Sequence, residues 1–247
     1  MPLRQALTQA RKQRVAGLEL EVGGDLAPSQ LSETGRRELK HLFRSQDLDV
    51  AALYAPLRRG LDAAENQAGR VEYLKQALTL SYELGPRLVV APVGKVPALE
   101  NDPRLPLFQG ALEEIARHGD RVGGRLALEM GLESAPALRD FLKRFDTGSL
   151  VVCYNPGALL AGGFDPYESA AILRETVAHA HARDARLVSV MGRAAEVPVG
   201  HGDVDWLRLA GALEEIDYRG WLVVDGDNLG AAEVAASVAF LRRIFGE

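Results

Sequence analysis

Four side chains capable of proton or metal chemistry stand at or near the ends of apolar runs in this sequence. Glu129, Asn155 and Asp225 each close such a run. His181 lies in a further run, two residues after His179, and this spacing places both imidazoles on the same side of a strand. Because an unpaired buried charge is unfavourable, a carboxylate that ends a buried run needs either a partner or a function.

Two carboxylates, an amide and an imidazole form a compact set of ligands for one divalent cation. Donors of these types bind Mn²⁺, Mg²⁺, Co²⁺ or Zn²⁺, at about 2.0–2.2 Å for the smaller ions. Ordinary roles remain open for the same residues. Glu129 fits a salt bridge with a nearby arginine, while Asp225 in Asp-Gly-Asp-Asn and Asn155 in Asn-Pro-Gly are also typical turn residues.

Other polar residues near the ends of the apolar runs are candidates for substrate contacts: Glu21, Arg58, His179 and Arg183. An arginine there can bind a phosphate or carboxylate of the substrate, although exposed loop arginines are common. His179 also fits a packed histidine that orients a neighbour through its ring N–H. Asp184, next to Arg183, is interpreted as an internal ion-pair partner.

The elements that position these residues are short apolar runs alternating with longer amphipathic segments. Near-continuous apolar runs are typical of parallel strands covered on both faces, and strand–helix alternation favours right-handed crossovers. One helix start is explicit, since Asp165-Pro166 combines an N-cap acid with proline at the first helical position. The predicted strands are Gly17–Val22, Leu48–Tyr54, Arg87–Ala91, Arg125–Met130, Leu150–Asn155, Val177–Ala182 and Trp221–Asp225.

The fold class predicted from this alternation is a TIM-type (β/α) barrel, with its site at the carboxyl ends of the strands. Seven strands are present in the pattern where a closed barrel has eight, and a helix from Leu3 to about Arg14 comes first, so the pattern lacks the first strand. Unpaired strand edges favour association, which predicts a homodimer or a compensating local rearrangement. A doubly wound sheet is the competing architecture, but Gly23-Gly24-Asp25 lacks the spacing of a phosphate loop.

Composition limits the classes of function. The 247 residues are 47% apolar and 26% charged, without a linker, which indicates one domain over residues 1–247. A net charge of −5 argues against nucleic acid as a partner. A single cysteine, Cys153, suits a reducing compartment. No signal peptide or apolar run of membrane-helix length is found, so a cytoplasmic protein without a membrane partner is expected.

Five stretches of the sequence resemble the xylose isomerase-like barrels, the sugar phosphate isomerase/epimerase group that includes tagatose- and psicose-type epimerases and inosose dehydratases. The resemblance runs from Leu3 almost to the carboxyl end, and the histidine and YRGW stretches are its more specific parts. The five stretches are LALEMG, VVCYNPGALL, VAHAHARDA, VPVGHGDVDW and EEIDYRGWLVVD.

The resemblance implies one divalent ion held by Glu, Asp, His and Glu on four consecutive strands. Carried over by position, these ligands fall on Glu129, Asn155, His181 and Asp225. The acid–base pair of the family falls on Glu129 and Asp225, and the ion stabilises the enediolate formed from a ketose or related polyol. A sugar, sugar phosphate or polyol isomerase or epimerase is the function this implies.

Two positions depart from the family pattern. Asn155 replaces an aspartate and removes one negative charge, and Asp225 replaces a glutamate and shortens the side chain by one methylene. These departures favour a weak or lost metal and, as the alternative function, a non-catalytic homologue that binds or regulates. An endonuclease IV-like repair enzyme is disfavoured, since the chain has only five histidines and an acidic balance.

Overall fold

The computed structural model describes residues 3–97, 101–188 and 194–246. They divide into two compact units, which are treated separately below. The first unit comprises Met1–Leu128 and Thr147–Leu150, and the second comprises Glu129–Asp146 and Val151–Glu247. None of the helices in the described ranges is both long and apolar enough to cross a membrane.

The first unit alternates helices and parallel strands. Its strands β1 to β4 pair in sequence order, each parallel to the next. Side chains in register across them, Leu20, Leu53, Val89 and Leu126, are all buried. The elements are α1 (Leu3–Gln13), β1 (Gly17–Glu21), α2 (Glu33–Arg44), β2 (Asp49–Tyr54), α3 (Gln67–Leu84), β3 (Leu88–Ala91), α4 (Arg104–Val122) and β4 (Arg125–Glu129, whose last residue belongs to the second unit), with a 3₁₀ turn at Gly24–Leu26.

The second unit contains three further parallel strands and a hairpin. Strand β6 pairs in parallel with both β5 and β9. The antiparallel pair β7–β8 was not predicted from the sequence. The elements are α5 (Ala135–Leu142), β5 (Leu150–Tyr154, whose first residue belongs to the first unit), α6 (Pro156–Ala161), α7 (Pro166–Ile172), β6 (Val177–Ala182), β7 (Asp184–Leu187), β8 (Ala194–Val197), α8 (Trp206–Glu215), β9 (Leu222–Val224) and α9 (Ala231–Phe245).

Local sequence signals account for where several elements begin. The Asp165 carboxylate accepts hydrogen bonds from the backbone N–H groups of Tyr167 and Glu168, and Pro166 is the first residue of α7, as predicted. Helix α3 ends at Gly85, whose φ of 118° favours glycine. The helix before the first strand and the count of seven parallel strands are confirmed within the described ranges. The homodimer stays a prediction.

Candidate active site

Three of the four predicted ligands meet at the carboxyl ends of strands in the second unit. Glu129 is the last residue of β4, His181 lies in β6, and Asp225 directly follows β9. Nδ1 of His181 lies 3.5 Å from Oε1 of Glu129 and 3.4 Å from Oδ2 of Asp225. One donor atom from each of the three residues lies within 4.8 Å of the others.

The spacing of these donor atoms fits a small divalent ion. Ligands about 2.1 Å from a metal stand about 3.0 Å apart at right angles and about 3.4 Å apart in a tetrahedron. Of the two distances from His181, 3.4 Å equals the tetrahedral spacing and 3.5 Å exceeds it by 0.1 Å. Two carboxylates and one imidazole are also a chemically suitable donor set for Mn²⁺, Co²⁺ or Zn²⁺. The residues present therefore fit a metal with three protein ligands.

Asn155, the fourth predicted ligand, contacts Glu129 through its amide group. Its Oδ1 accepts a hydrogen bond from the backbone N–H of Ala158 at 2.9 Å and caps α6. Its Nδ2 donates to Oε1 of Glu129 at 3.2 Å. The orientation of the amide follows from these partners, because a backbone N–H must face oxygen and a carboxylate must face the NH₂ group. Asn155 thus orients Glu129, and its role as a ligand stays a prediction.

Arg183 binds the Asp225 carboxylate. Its Nε and one terminal nitrogen lie 2.6 Å and 2.5 Å from the same oxygen, Oδ2 of Asp225. The guanidinium also reaches Asp227, with N–O distances of 3.3–3.4 Å. The side chain of Asp225 is 28% exposed and that of Asp227 is 77% exposed, so Arg183 joins an inner and an outer carboxylate.

The charges in this cluster set the protonation of its members. Burial alone raises the pKa of Glu129, but the hydrogen bond and charge of His181, together with Arg183 and Asn155, outweigh it and lower the pKa below its ordinary value. Burial alone lowers the pKa of Arg183, and the carboxylates of Asp225, Glu129 and Asp227 outweigh it and raise that pKa. Glu129 is therefore an ionised carboxylate at neutral pH, and Arg183 stays a cation.

His179 lies beside the cluster and is fully buried. Its ring stands edge-on to that of His181, with centroids 5.4 Å apart and an interplanar angle of 82°. The two rings lie on the same side of β6, as their spacing predicts. This arrangement suits a residue that packs against the candidate ligand, and the contact of His179 with substrate stays a prediction.

Glu196 and Asp227, which the sequence did not single out, hold the segment after Asp225 in place. Glu196 in β8 accepts hydrogen bonds from the backbone N–H of Asp227 and from the side-chain amide of Asn228. Asp227 in turn contacts Arg183. The Asp-Gly-Asp-Asn run indicated a turn, but the hairpin that carries Glu196 left no periodic signal.

Among the residues that the structure describes, Asp184 forms no ion pair, in contrast to the prediction. It is 1% exposed, and its carboxylate accepts hydrogen bonds from the indole of Trp206 and from backbone N–H groups, those of Ala185, Gly200, Gly202 and Val204. The bonds are 2.9–3.2 Å long. Backbone donors replace the expected arginine, so Asp184 fixes the segment before α8.

The remaining predicted substrate contacts belong to the first unit. Glu21 ends β1 with an exposed side chain, and Arg58 follows β2, also exposed. Near Glu21, the hydroxyl of Tyr73 donates to the backbone carbonyl of Val22 at 2.6 Å. Burial, and to a lesser extent the charge of Glu21, raises the pKa of Tyr73 to about 12. The substrate-binding roles of Glu21 and Arg58 stay predictions.

The sequence matches one protein family over almost its whole length. The model of the xylose isomerase-like TIM barrel family matches residues 7–244. The chain therefore belongs to the xylose isomerase-like TIM barrel family, and the predicted TIM-type fold class is confirmed. No curated protein sequence matches it.

Solved structures show the same fold at low sequence identity. A xylose isomerase domain protein from Planctomyces limnophilus superposes with a TM-score of 0.87 at 21% identity, covering 97% of this chain and 92% of its own. D-psicose 3-epimerase with D-tagatose from Clostridium cellulolyticum H10 gives 0.76 at 15% identity, covering 99% and 94%. A xylose isomerase-like TIM barrel protein from Mycobacterium smegmatis in complex with magnesium gives 0.74 at 17% identity, covering 99% and 89%.

Proposed function

We propose that this protein is an isomerase or epimerase of a sugar, sugar phosphate or polyol that works with a divalent metal ion and a pair of carboxylates. One observation carries the proposal: Glu129, His181 and Asp225 bring their donor atoms within 4.8 Å of one another at strand ends. The epimerases among the structural neighbours support the substrate class.

In this proposal the two carboxylates transfer the proton. Glu129 is an ionised carboxylate held by the Asn155 amide, so it can accept a proton from the carbon next to a carbonyl. Asp225, after taking up a proton from solvent, donates it to the same carbon in epimerisation or to the neighbouring carbon in isomerisation, and Glu129 releases the proton it removed to solvent. Bound to Glu129, His181 and Asp225, the ion would polarise the carbonyl and stabilise the developing negative charge.

Deuterium exchange tests the proposal without knowledge of the product. Ketoses, ketose phosphates and inososes are incubated with the protein in D₂O with Mn²⁺, and NMR follows incorporation next to the carbonyl. At least one class is expected to exchange, and Glu129→Gln is expected to slow exchange by about 10²- to 10⁴-fold because it removes the base.

The control for this experiment is Asp217→Asn, the same carboxylate-to-amide change at a residue that precedes β9. Asp217 is 76% exposed and, among the described residues, forms an ion pair with Arg219 alone, so exchange should match that of the native protein. The proposed function is refuted if no class exchanges with the ion present, or if Glu129→Gln exchanges as fast as the native protein.

The alternative is a non-catalytic homologue that binds a small molecule. Asn155 and Arg183 favour it, because both stabilise the two carboxylates without any ion. A crystal structure with one of these sugars or polyols bound at the site, together with no deuterium exchange in any substrate class, would support this alternative over the enzyme.

A further inference from the structure

The Asp225 oxygen that faces the candidate metal position is already hydrogen-bonded. Oδ2 of Asp225 lies 3.4 Å from Nδ1 of His181, and Oε1 of Glu129 lies 3.5 Å from the same nitrogen. The same Oδ2 accepts a hydrogen bond from Nε of Arg183 at 2.6 Å and lies 2.5 Å from a terminal nitrogen of that guanidinium. A cation bound by His181 and Asp225 would therefore meet the guanidinium on one shared oxygen.

We infer that Arg183 competes with the divalent ion for Oδ2 of Asp225 and thereby sets the affinity of this site for metal. The inference rests on the proposed function, since it concerns the same site. A guanidinium and a divalent cation on one carboxylate oxygen repel each other, so the hydrogen bond and the ion pair that Arg183 makes with Oδ2 must weaken or break when the ion binds. Ion binding and the contact between Arg183 and Asp225 then exclude one another.

The structure also provides a position to which the guanidinium can withdraw. Asp227 lies 3.3 Å from Arg183, on the solvent side, and its backbone is held by the carboxylate of Glu196. The Arg183 side chain is 19% exposed and contacts both the partly exposed carboxylate of Asp225 and the solvated carboxylate of Asp227. When the guanidinium contacts only Asp227, Oδ2 of Asp225 is free to bind the ion. When the guanidinium contacts Asp225, it occupies that oxygen.

Calorimetric titration with Mn²⁺ tests the competition directly. Arg183→Gln removes the competing cation and its hydrogen bonds, so the dissociation constant should fall by about 10- to 100-fold, the size of a charge-assisted hydrogen bond. Arg183→Lys keeps the charge but not the planar pair of donors, so its affinity for Mn²⁺ should lie between that of the native protein and that of Arg183→Gln. Arg219→Gln, at an exposed arginine paired with Asp217, is the matched control and should bind as the native protein does.

Substitution of Asp227 should change the affinity for Mn²⁺ in the opposite direction from Arg183→Gln. Asp227→Asn removes the position to which Arg183 withdraws, so Mn²⁺ binding should weaken by about 3- to 10-fold. In the Arg183→Gln background the same change should have a much smaller effect, because the competing side chain is gone. Non-specific damage to the fold would weaken binding in both variants and would not produce opposite signs.

The outcomes separate this inference from the proposed function. If the native protein binds Mn²⁺ and Arg183→Gln binds with unchanged or weaker affinity, the competition is wrong and the proposed metal site stands. An Arg183→Lys affinity equal to that of the native protein also overturns the shared-oxygen inference. If neither the native protein nor Arg183→Gln binds Mn²⁺, both the inference and the metal-dependent function fail.

Discussion

Asp184 and Asp225 are two carboxylates of the second unit that differ in what holds them. Asp184 is buried and accepts hydrogen bonds from four backbone N–H groups and the indole of Trp206. Asp225 is partly exposed, and its contacts are with the side chains of Arg183 and His181.

The difference separates an anchor from a reactive group. Backbone donors cannot leave Asp184 without unfolding the segment around it, so this carboxylate is committed to the fold. Side-chain partners such as Arg183 can rotate away, so Asp225 can exchange one partner for an ion or a substrate. Burial alone would have pointed to Asp184 as the functional residue, whereas the nature of the donors points to Asp225.

The strongest test of this comparison is Asp184→Asn. The amide places an NH₂ group against backbone N–H donors, and at least two of them lose their acceptor. We expect the free energy of unfolding to fall by about 3–5 kcal/mol, as measured by urea denaturation. Asp227→Asn is the control, since an exposed substitution of the same kind should change stability by about 0.5 kcal/mol or less. Equal stability of the native protein and Asp184→Asn would remove the distinction between the two carboxylates.

A second test changes the region around Asp225 toward the family pattern. Asn155→Asp keeps an N-cap for α6 but replaces the hydrogen bond to Glu129 with a second negative charge. The metal-free protein should lose about 1–2 kcal/mol of stability, and Mn²⁺ affinity should rise about tenfold or more because the site gains a charged ligand.

Thermal denaturation with Mn²⁺ and with EDTA measures both effects of Asn155→Asp. The gap between the two melting temperatures should be wider than in the native protein, since an ion that binds only the folded state stabilises it by an amount that grows with the logarithm of its affinity. Asn101→Asp, at an exposed position in the first unit, is the control and should leave the gap unchanged. A narrower gap in Asn155→Asp would show that residue 155 serves only to orient Glu129.

Much of the fold and part of the candidate site could be predicted because their signals are local or periodic. The seven apolar strands were readable, and so was the Asp165 cap. Glu129, His181 and Asp225 could be placed together because strand ends in such folds converge. The role of Asp184 could not be predicted, since backbone N–H groups leave no trace in residue type. The pairing of Arg183 with both Asp225 and Asp227 depends on a turn whose geometry is fixed by Glu196 from a short hairpin.

The smallest expected effect extends the comparison to a hydroxyl anchored on the backbone. Tyr73 donates to the carbonyl of Val22, and burial raises its pKa to about 12 from the ordinary value of 10.0. A raised pKa in the folded state means that the stabilisation is complete below pH 10 and is lost as the pH rises through about 12. Tyr73→Phe should lower the free energy of unfolding at pH 7 by about 1 kcal/mol and lessen its decline above pH 10.

Urea denaturation between pH 7 and 11.5 measures both effects of Tyr73→Phe. Tyr82→Phe, at a tyrosine that is 47% exposed, is the control. Stability depends on pH only through groups whose pKa differs between the folded and unfolded states. If the free energy of unfolding falls above pH 10 as steeply in Tyr73→Phe as in the native protein, the Tyr73 hydroxyl does not cause that fall.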